Sequence, residues 1–209
     1  MFMIDRRTML AGMAALSLLA LAPSYGFAQA AAPEGLLIPG PLGDKIMGSD
    51  TAKVTMIEYA SMTCPHCGEF YRTTFKEFRA KYIDTGKVRF IFREFPLDAA
   101  AAGAAMLARC APADRYFDVV DAYFGRQDAW VKTGDIYTAM FDIAKQFGFT
   151  QQSFEACLSN QALFEQLDAV KKRGAALGVD GTPTFFINGQ KQVGEMTLAD
   201  LGKIIDPLL

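Results

Sequence analysis

Two cysteines separated by two residues constrain this chain more than any other feature, because they lie where a predicted strand meets a predicted helix. Residues 54–60 are mostly apolar and rich in β-branched and aromatic types, which predicts a short buried strand. After Cys67, aromatic residues recur at helical spacing and predict the apolar stripe of an amphipathic helix. They are Tyr71, Phe75, Phe78 and Tyr82. In the predicted fold a strand is followed directly by a helix, and both sulfurs lie near the start of that helix.

The residues of the motif, Cys64-Pro65-His66-Cys67, suit a helix N-terminus. Pro65 fits the first helical position, where its missing N–H has no intrahelical partner to lose. Cys64 is then the N-cap, with its sulfur facing free backbone N–H groups and the positive end of the helix dipole. This environment lowers the pKa of a thiol and favours the reactive thiolate, and His66 adds positive charge or a hydrogen bond beside it. We expect Cys64 to be the nucleophile of a redox pair and Cys67 to be the resolving thiol.

A Cys-x-x-Cys pair is also half of a zinc site. Zinc requires four ligands, and the single histidine, His66, lies inside the motif. The other cysteines, Cys110 and Cys157, do not form a second close pair. We therefore expect no bound metal and no other cofactor.

Composition excludes one broad class of partner. The chain has 209 residues, of which 51% are hydrophobic, enough for one large domain or one domain with an insertion. Its formal net charge is -2, and its basic residues form no sizeable cluster, so it lacks an electrostatic footprint for nucleic acid. We expect no nucleic-acid partner.

The first segment, residues 1–30, has the pattern of a secretory signal peptide. A basic start at Arg6 and Arg7 precedes an uncharged apolar stretch, and small residues lie before a cleavage site near Ala30. A membrane anchor is the alternative, but about 14 apolar residues are short for a span that needs about 20. The paired arginines resemble a twin-arginine export signal, although such pairs also occur in ordinary signals. We expect export to the periplasm.

Export places the remaining cysteines in an oxidising compartment, where disulfides persist. With Cys64 and Cys67 in the redox motif, Cys110 and Cys157 are left to pair with each other. Their bridge would close a loop of about 48 residues and stabilise the fold by roughly 4 kcal/mol. Two buried free thiols are the alternative.

Strand signals flank the motif on both sides. Residues 44–47 are a candidate edge strand, and residues 88–95, centred on three large apolar residues, are a second buried strand. A strand, a helix and a strand of these lengths form a βαβ unit with parallel strands and a right-handed crossover.

The second half of the chain begins with helices and ends with strands. Helical periodicity continues through residues 98–177, with Asp98 and Ser153 as candidate N-caps. The Asn-Gly pair at 188–189 predicts a tight turn between two strands. A final amphipathic helix is expected to start at Thr197. The predicted order is βαβ, a block of helices, then ββα.

With these residues in view, the chain resembles the DsbA family of thiol–disulfide oxidoreductases. The resemblance depends on Cys64-Pro65-His66-Cys67 after a strand, the long helical block, and residues 181–186 (GTPTFF) before the hairpin. It implies an α/β, thioredoxin-like fold (βαβ–ββα) with an all-helical insertion between the two halves. The expected boundaries are 31–97 and 178–209 for the thioredoxin-like domain and 98–177 for the insertion.

The resemblance also assigns roles to three residues outside the motif. Pro183 matches the proline that the family holds in a cis peptide bond opposite the cysteines, with an ordinary turn proline as the alternative. Thr182 should offer its backbone to an extended client segment. Glu58 matches the acidic residue beneath the active site and is expected to accept the proton of Cys67, unless it lies at a sheet edge and reaches solvent.

Two features depart from the best-known members of the family. Many oxidases of this family carry valine before the cis-proline, whereas related periplasmic isomerases tend to carry threonine, as Thr182 does here. Those isomerases, however, usually have an N-terminal dimerisation domain, and the short segment before Met56 leaves no room for one. We expect a monomer. The pair Cys110 and Cys157 resembles a second bridge found in some alphaproteobacterial relatives.

The resemblance implies a periplasmic thiol:disulfide interchange protein that introduces disulfides into reduced exported proteins. Its cysteine pair would be reoxidised by a membrane partner of the DsbB type. An isomerase or reductase of the same fold is the first alternative. Two others belong to different classes: a copper(I) carrier that uses the two thiolates, with Met62 close by, and a chaperone that binds unfolded chains in a Phe-rich groove.

Overall fold

The structure, a computed structural model, describes residues 32–209 of the chain. The predicted signal peptide, residues 1–30, lies outside the described residues. Within these described residues, five strands form one sheet in the order β1-β3-β2-β4-β5. The strands are β1 (Lys45–Met47), β2 (Val54–Ala60), β3 (Val88–Glu94), β4 (Thr184–Ile187) and β5 (Gln190–Val193).

Strand β2 lies at the centre of this sheet. It pairs in parallel with β3, where Met56 lies opposite Phe90, and antiparallel with β4, where Glu58 lies opposite Phe185. Edge strands β1 and β5 are antiparallel to their neighbours. The predicted βαβ unit and the terminal hairpin are therefore present, and the sheet is mixed.

Helix α1 follows β2 as one continuous helix over residues 65–83. Its α-helical turns at Pro65–Phe70 and Lys76–Phe78 alternate with wider π-helical turns at Tyr71–Phe75 and Arg79–Ile83. Single π turns inside helices shift the register of the side chains and are common near functional sites. The predicted aromatic stripe of α1 is buried along its whole length, at Tyr71, Phe75, Phe78 and Tyr82.

Only helices lie between β3 and β4. They are α2 (Ala99–Cys110), α3 (Tyr116–Gly125), α4 (Gln127–Val131), α5 (Ile136–Ala144), α6 (Gln151–Leu158) and α7 (Gln161–Ala176). Helix α8 (Leu198–Ile205) follows the hairpin and starts at the predicted cap, Thr197. The α/β fold with a helical insertion between its halves agrees with the sequence prediction.

The caps of the insertion match the prediction at α2 and differ at α6. The Asp98 carboxylate accepts the N–H of Ala101 at 2.8 Å, as an N-cap should. At α6 the cap is Thr150 and not Ser153, so that expectation was wrong. Thr150 Oγ1 accepts the Ser153 N–H while Ser153 Oγ accepts the Thr150 N–H, a reciprocal capping box. Ser153 is the third helical residue of that box.

The core has two parts, one on each face of the sheet. The larger packs α1 and the insertion against one face, and the smaller includes Ile57 and Tyr59 of β2 on the other face. Because side chains alternate along a strand, Glu58 faces α1 together with Met56 and Ala60. A carboxyl group therefore lies inside the main hydrophobic core.

Two buried arginines join the segment before β1 to the rest of the fold. Arg93 Nε donates to Asp44 at 2.8 Å, and its Nη1 donates to the Leu36 carbonyl at 2.8 Å. Arg109 of α2 pairs with Glu94 at 2.8 Å and also donates to the Leu42 carbonyl at 2.9 Å. These charges are paired and hydrogen-bonded, which is the condition under which burial of an ion is tolerated.

None of the helices within residues 32–209 combines the length and apolar character needed to cross a bilayer.

Candidate active site at the start of helix α1

Cys64 occupies the predicted N-cap of α1, and Pro65 is the first helical residue. The Cys64 N–H donates to the Ser61 carbonyl at 3.1 Å, which closes the turn that leads out of β2. Both cysteines of the motif are free thiols, with Cys64 5% exposed and Cys67 fully buried. The sulfur that reaches the surface is therefore that of Cys64.

The loop before β4 lies directly against this sulfur. The peptide bond between Thr182 and Pro183 is cis, and the Cys64 thiol donates to the Thr182 carbonyl at 3.1 Å. The fold thus brings together Cys64, Cys67, Thr182 and Pro183, which the sequence had linked only by resemblance.

Several donors favour the ionised form of Cys64 and lower its pKa from 9.0 to about 5. The largest effect is a hydrogen bond from the Cys67 thiol, and the Thr182 side chain and the backbone N–H groups of Cys67 and His66 add to it. Burial acts in the opposite direction. Thr182 Oγ1 is buried and has no hydrogen-bond partner among the described residues, so its O–H is free to turn toward the thiolate. With a pKa of about 5, the Cys64 thiol loses its proton below neutral pH, and with the proton it loses the hydrogen bond to the Thr182 carbonyl.

Cys67 behaves in the opposite way. Burial raises its pKa far above the ordinary value, and the hydrogen bond to Cys64 and the charge of Glu58 raise it further. The two sulfurs of the motif, although three residues apart, therefore differ in protonation over the whole physiological pH range. One ionises below neutral pH, and the other holds its proton.

Glu58 is completely buried in the central strand, so the alternative of an edge carboxylate is wrong. Burial raises the pKa of its carboxyl to about 8, a hydrogen bond from Tyr71 opposes that rise, and the charge of Cys64 adds to it. The Tyr71 hydroxyl donates to Oε2 at 3.3 Å, and Oε1 has no hydrogen-bond partner within residues 32–209. A carboxyl with this pKa can both give and take a proton near neutral pH.

The imidazole of His66 lies at the protein surface, close to a carboxylate. Its side chain is 71% exposed, and Nδ1 lies 3.5 Å from Oε2 of Glu195. The contribution of His66 to the Cys64 thiolate comes from its backbone N–H. Glu195 follows Gly194, whose N–H donates to the Pro183 carbonyl at 2.9 Å, so this loop is attached to the cis-proline.

Comparison with known proteins agrees with this geometry. Residues 42–207 match the family model described as Thioredoxin. The crystal structure of alpha-DsbA1 from Wolbachia pipientis is 35% identical, with a TM-score of 0.78 over 84% of this chain and 95% of that chain. The chain belongs to the DsbA family of thiol–disulfide oxidoreductases.

Other relatives of this DsbA-family protein give the same result. A protein of Rickettsia felis that carries the provisional name protein-disulfide oxidoreductase is 32% identical over 168 residues, which are 79% of this chain. The match spans 60% of the length of that relative. Disulfide bond formation protein D of Bacillus subtilis is 24% identical over 72% of this chain and 70% of its own length.

The second pair of cysteines in this DsbA-family protein is joined. Cys110, the last residue of α2, and Cys157 of α6 form a disulfide with an S–S distance of 2.12 Å. The bridge links two helices of the insertion covalently.

Within the described part of the chain, no group of three or more His, Cys, Asp or Glu side chains is arranged to hold a metal ion.

Sequence reasoning missed two residues that touch the site. Tyr71 was counted only as part of an apolar stripe, although its hydroxyl reaches Glu58. Gln127 was not noticed, yet its amide is buried and donates to the carbonyls of Met62 and Cys64. A signal was available for Gln127, because it occupies an apolar position, three residues after Phe124 and three before Trp130.

Proposed function

We propose that this protein is an exported dithiol oxidase that introduces disulfides into reduced client proteins. The observation that carries the proposal is the contrast between the two thiols of the motif. The pKa of Cys64 is lowered to about 5, whereas that of Cys67 is raised. Stabilising the thiolate stabilises the reduced protein, which makes the oxidised protein a strong oxidant.

In the proposed reaction a client thiolate attacks Sγ of Cys64 in the Cys64–Cys67 disulfide. The S–S bond breaks, and Cys67 leaves as a thiolate that takes a proton from the carboxyl of Glu58. A second client thiolate then attacks the client sulfur of the mixed disulfide, and Cys64 leaves as a stable thiolate. The client has lost two electrons and gained a disulfide, and the protein is reduced.

Reoxidation reverses the use of Glu58. The Cys64 thiolate first attacks a disulfide of the oxidant and releases one oxidant thiolate. The ionised carboxylate of Glu58 then removes the proton of Cys67, whose thiolate attacks Sγ of Cys64, and the second oxidant thiolate leaves. The oxidant is an external protein disulfide, which we propose belongs to a membrane protein of the DsbB type. The pKa of Glu58, raised to about 8, suits both directions of proton transfer near neutral pH.

We further propose that clients bind as an extended segment beside Thr182 and Pro183, opposite Cys64. The proposal is supported by the 3.1 Å contact between the Cys64 sulfur and the Thr182 carbonyl, because a client sulfur bound to Cys64 must lie next to that backbone. The assignment of residues 1–30 as a cleaved export signal, the periplasmic location, the monomeric state and the stated domain boundaries belong to the same proposal.

The equilibrium of the Cys64–Cys67 couple with glutathione tests the oxidase assignment. We expect a couple that is more oxidising than glutathione and that oxidises a reduced two-cysteine peptide with one peptide disulfide formed per protein reduced. The Cys64→Ser variant, which keeps the fold and lacks the nucleophile, is the control and should be inactive.

An isomerase or reductase is the second candidate, and Thr182 favours it. The Thr182 residue before the cis-proline is the type that the related isomerases tend to carry, and its hydroxyl is buried at the site. A couple as reducing as that of thioredoxin, together with activity on a scrambled disulfide substrate, would assign the protein to this class instead.

A further inference from the structure

Gln127 connects the helical insertion to the turn that presents Cys64. It is the first residue of α4 and is 3% exposed. Its side-chain nitrogen donates to the Met62 carbonyl at 2.9 Å and to the Cys64 carbonyl at 2.8 Å. The side-chain amide of Gln127 therefore binds the backbone carbonyls on either side of Thr63, the residue before Cys64.

These two carbonyls determine how the motif is oriented. The Cys64 carbonyl also accepts the Gly68 N–H at 3.1 Å, which is the first hydrogen bond of α1. A side-chain amide has two N–H donors, so Gln127 can serve both carbonyls at once. With the Met62 and Cys64 carbonyls held by α4, the backbone of Cys64 is fixed at the N-cap of α1, so its side chain starts from the positive end of that helix.

The space for this amide depends on a glycine in the motif helix. A Cβ atom added at Gly68 would lie 2.3 Å from Oε1 of Gln127, closer than any non-bonded contact allows. Gly68 directly follows Cys67 in the sequence. The amide of Gln127 on α4 therefore occupies the space that a side chain at position 68 of α1 would fill.

We propose that Gln127 is a positioning residue for the thiol–disulfide reaction, through which the helical insertion sets the reactivity of Cys64. Without the amide, two buried carbonyls lose a partner, and the turn relaxes to find others. That relaxation moves Cys64 from its place at the N-cap of α1, and its thiolate loses stabilisation by the helix N-terminus. The proposal rests on the proposed function only in taking Cys64 as the nucleophile.

The test replaces the amide with an unbranched apolar side chain of similar length, Gln127→Met. The fraction of Cys64 ionised is followed by the ultraviolet absorbance of its thiolate across pH, and the Cys64–Cys67 couple is equilibrated with glutathione. We expect the midpoint to move upward and the equilibrium to shift about tenfold toward the oxidised protein, which corresponds to about 1.4 kcal/mol.

A control on the same helix separates positioning from stability. Trp130 is also buried, and its Nε1 donates to the Tyr123 carbonyl at 2.8 Å, within the insertion. Trp130→Phe should lower the free energy of unfolding and leave the Cys64 midpoint and the glutathione equilibrium unchanged. If Gln127→Met also lowers stability without moving either readout, Gln127 has only a structural role and the proposal is overturned.

A second variant reaches the same contact from the other side. Gly68→Ala keeps the amide and displaces it, so it should shift the Cys64 midpoint in the same direction as Gln127→Met. In a Gln127→Ala background the added methyl meets only the flexible end of the Arg72 side chain, at 2.9 Å from Nη1, so most of its effect should disappear. An equal effect of Gly68→Ala in both backgrounds would contradict the coupling. Both readouts use the protein and glutathione alone, so they hold whether or not the protein oxidises clients.

Discussion

Replacing Glu58 with glutamine should change how the stability of the protein depends on pH. Glu58 is fully buried, and burial raises the pKa of its carboxyl from 4.5 to about 8. Between these two pH values the folded protein keeps a proton that the unfolded chain releases. Stability is therefore fully present below pH 4.5 and is lost as the pH rises to about 8. In Glu58→Gln the group cannot ionise, and this loss should be absent.

The size of the effect follows from the width of the pH window. Each pH unit between the two pKa values changes the free energy of unfolding by about 1.4 kcal/mol. The wild-type protein should lose about 5 kcal/mol across the whole window relative to Glu58→Gln. At low pH the two proteins should have similar stability, because a protonated carboxyl and an amide have the same shape and the Tyr71 hydroxyl can donate to either.

The assay is urea denaturation of the oxidised protein at several pH values. Oxidation joins Cys64 and Cys67, so neither thiol titrates and the pH dependence of Cys64 does not overlap with that of Glu58. It also removes the Cys64 thiolate charge, which is a smaller cause of the raised pKa than burial. Glu77→Gln on α1 is the matched control, because that carboxylate is exposed and its replacement should leave the wild-type profile unchanged.

One result would refute this reasoning. If wild-type protein and Glu58→Gln show parallel stability profiles from pH 5 to pH 8, the carboxyl ionises in the folded protein as easily as in the unfolded chain. Burial would then not control the proton of Glu58, and its assignment as the proton donor and acceptor for Cys67 would fail with it.

Three further predictions concern the cysteines. Alkylation of the native reduced protein by iodoacetamide should follow a titration with a midpoint near pH 5, and Cys64→Ser should abolish it, since Cys67 is buried and protonated. Reduced Cys67→Ala, mixed with an oxidised client, should accumulate a mixed disulfide at Cys64, seen as a band that disappears on reduction, because the resolving thiol is missing. The double variant Cys110→Ala/Cys157→Ala should lose roughly 4 kcal/mol of stability in urea denaturation, because the bridge closes a long loop, and should still be alkylated at Cys64 with the same midpoint.

Much of the fold could be predicted from local sequence, because the forces concerned act between residues close in the chain. The alternation of β2, the apolar stripe of α1 and the capping carboxylate of Asp98 each depend on a few neighbouring residues. The Asn188-Gly189 turn is of the same kind, with both residues at positive φ, as a tight hairpin requires. The cap of α6 was assigned wrongly because two hydroxyl residues three apart, Thr150 and Ser153, both fit a capping box.

The position of Cys64 in the sequence placed its thiol at a helix N-terminus, and tertiary packing decided which other groups lie beside the motif. The N-cap location of Cys64 followed from its place between strand and proline. Its contact with Thr182, 118 residues away, required the loop before β4 to return across the start of α1. The side chain of His66 turned toward Glu195, a pairing that no local pattern indicates.

The clearest division between the two levels is at Glu58 and Gln127. The order of residues alone places a carboxyl among the apolar residues of a strand and an amide among the apolar residues of the helical block. Folding buries both side chains and brings the amide within 2.8 Å of the Cys64 carbonyl. Burial, and the pKa that depends on it, arise because elements far apart in the chain pack against one another. Local propensity carries no information about that packing.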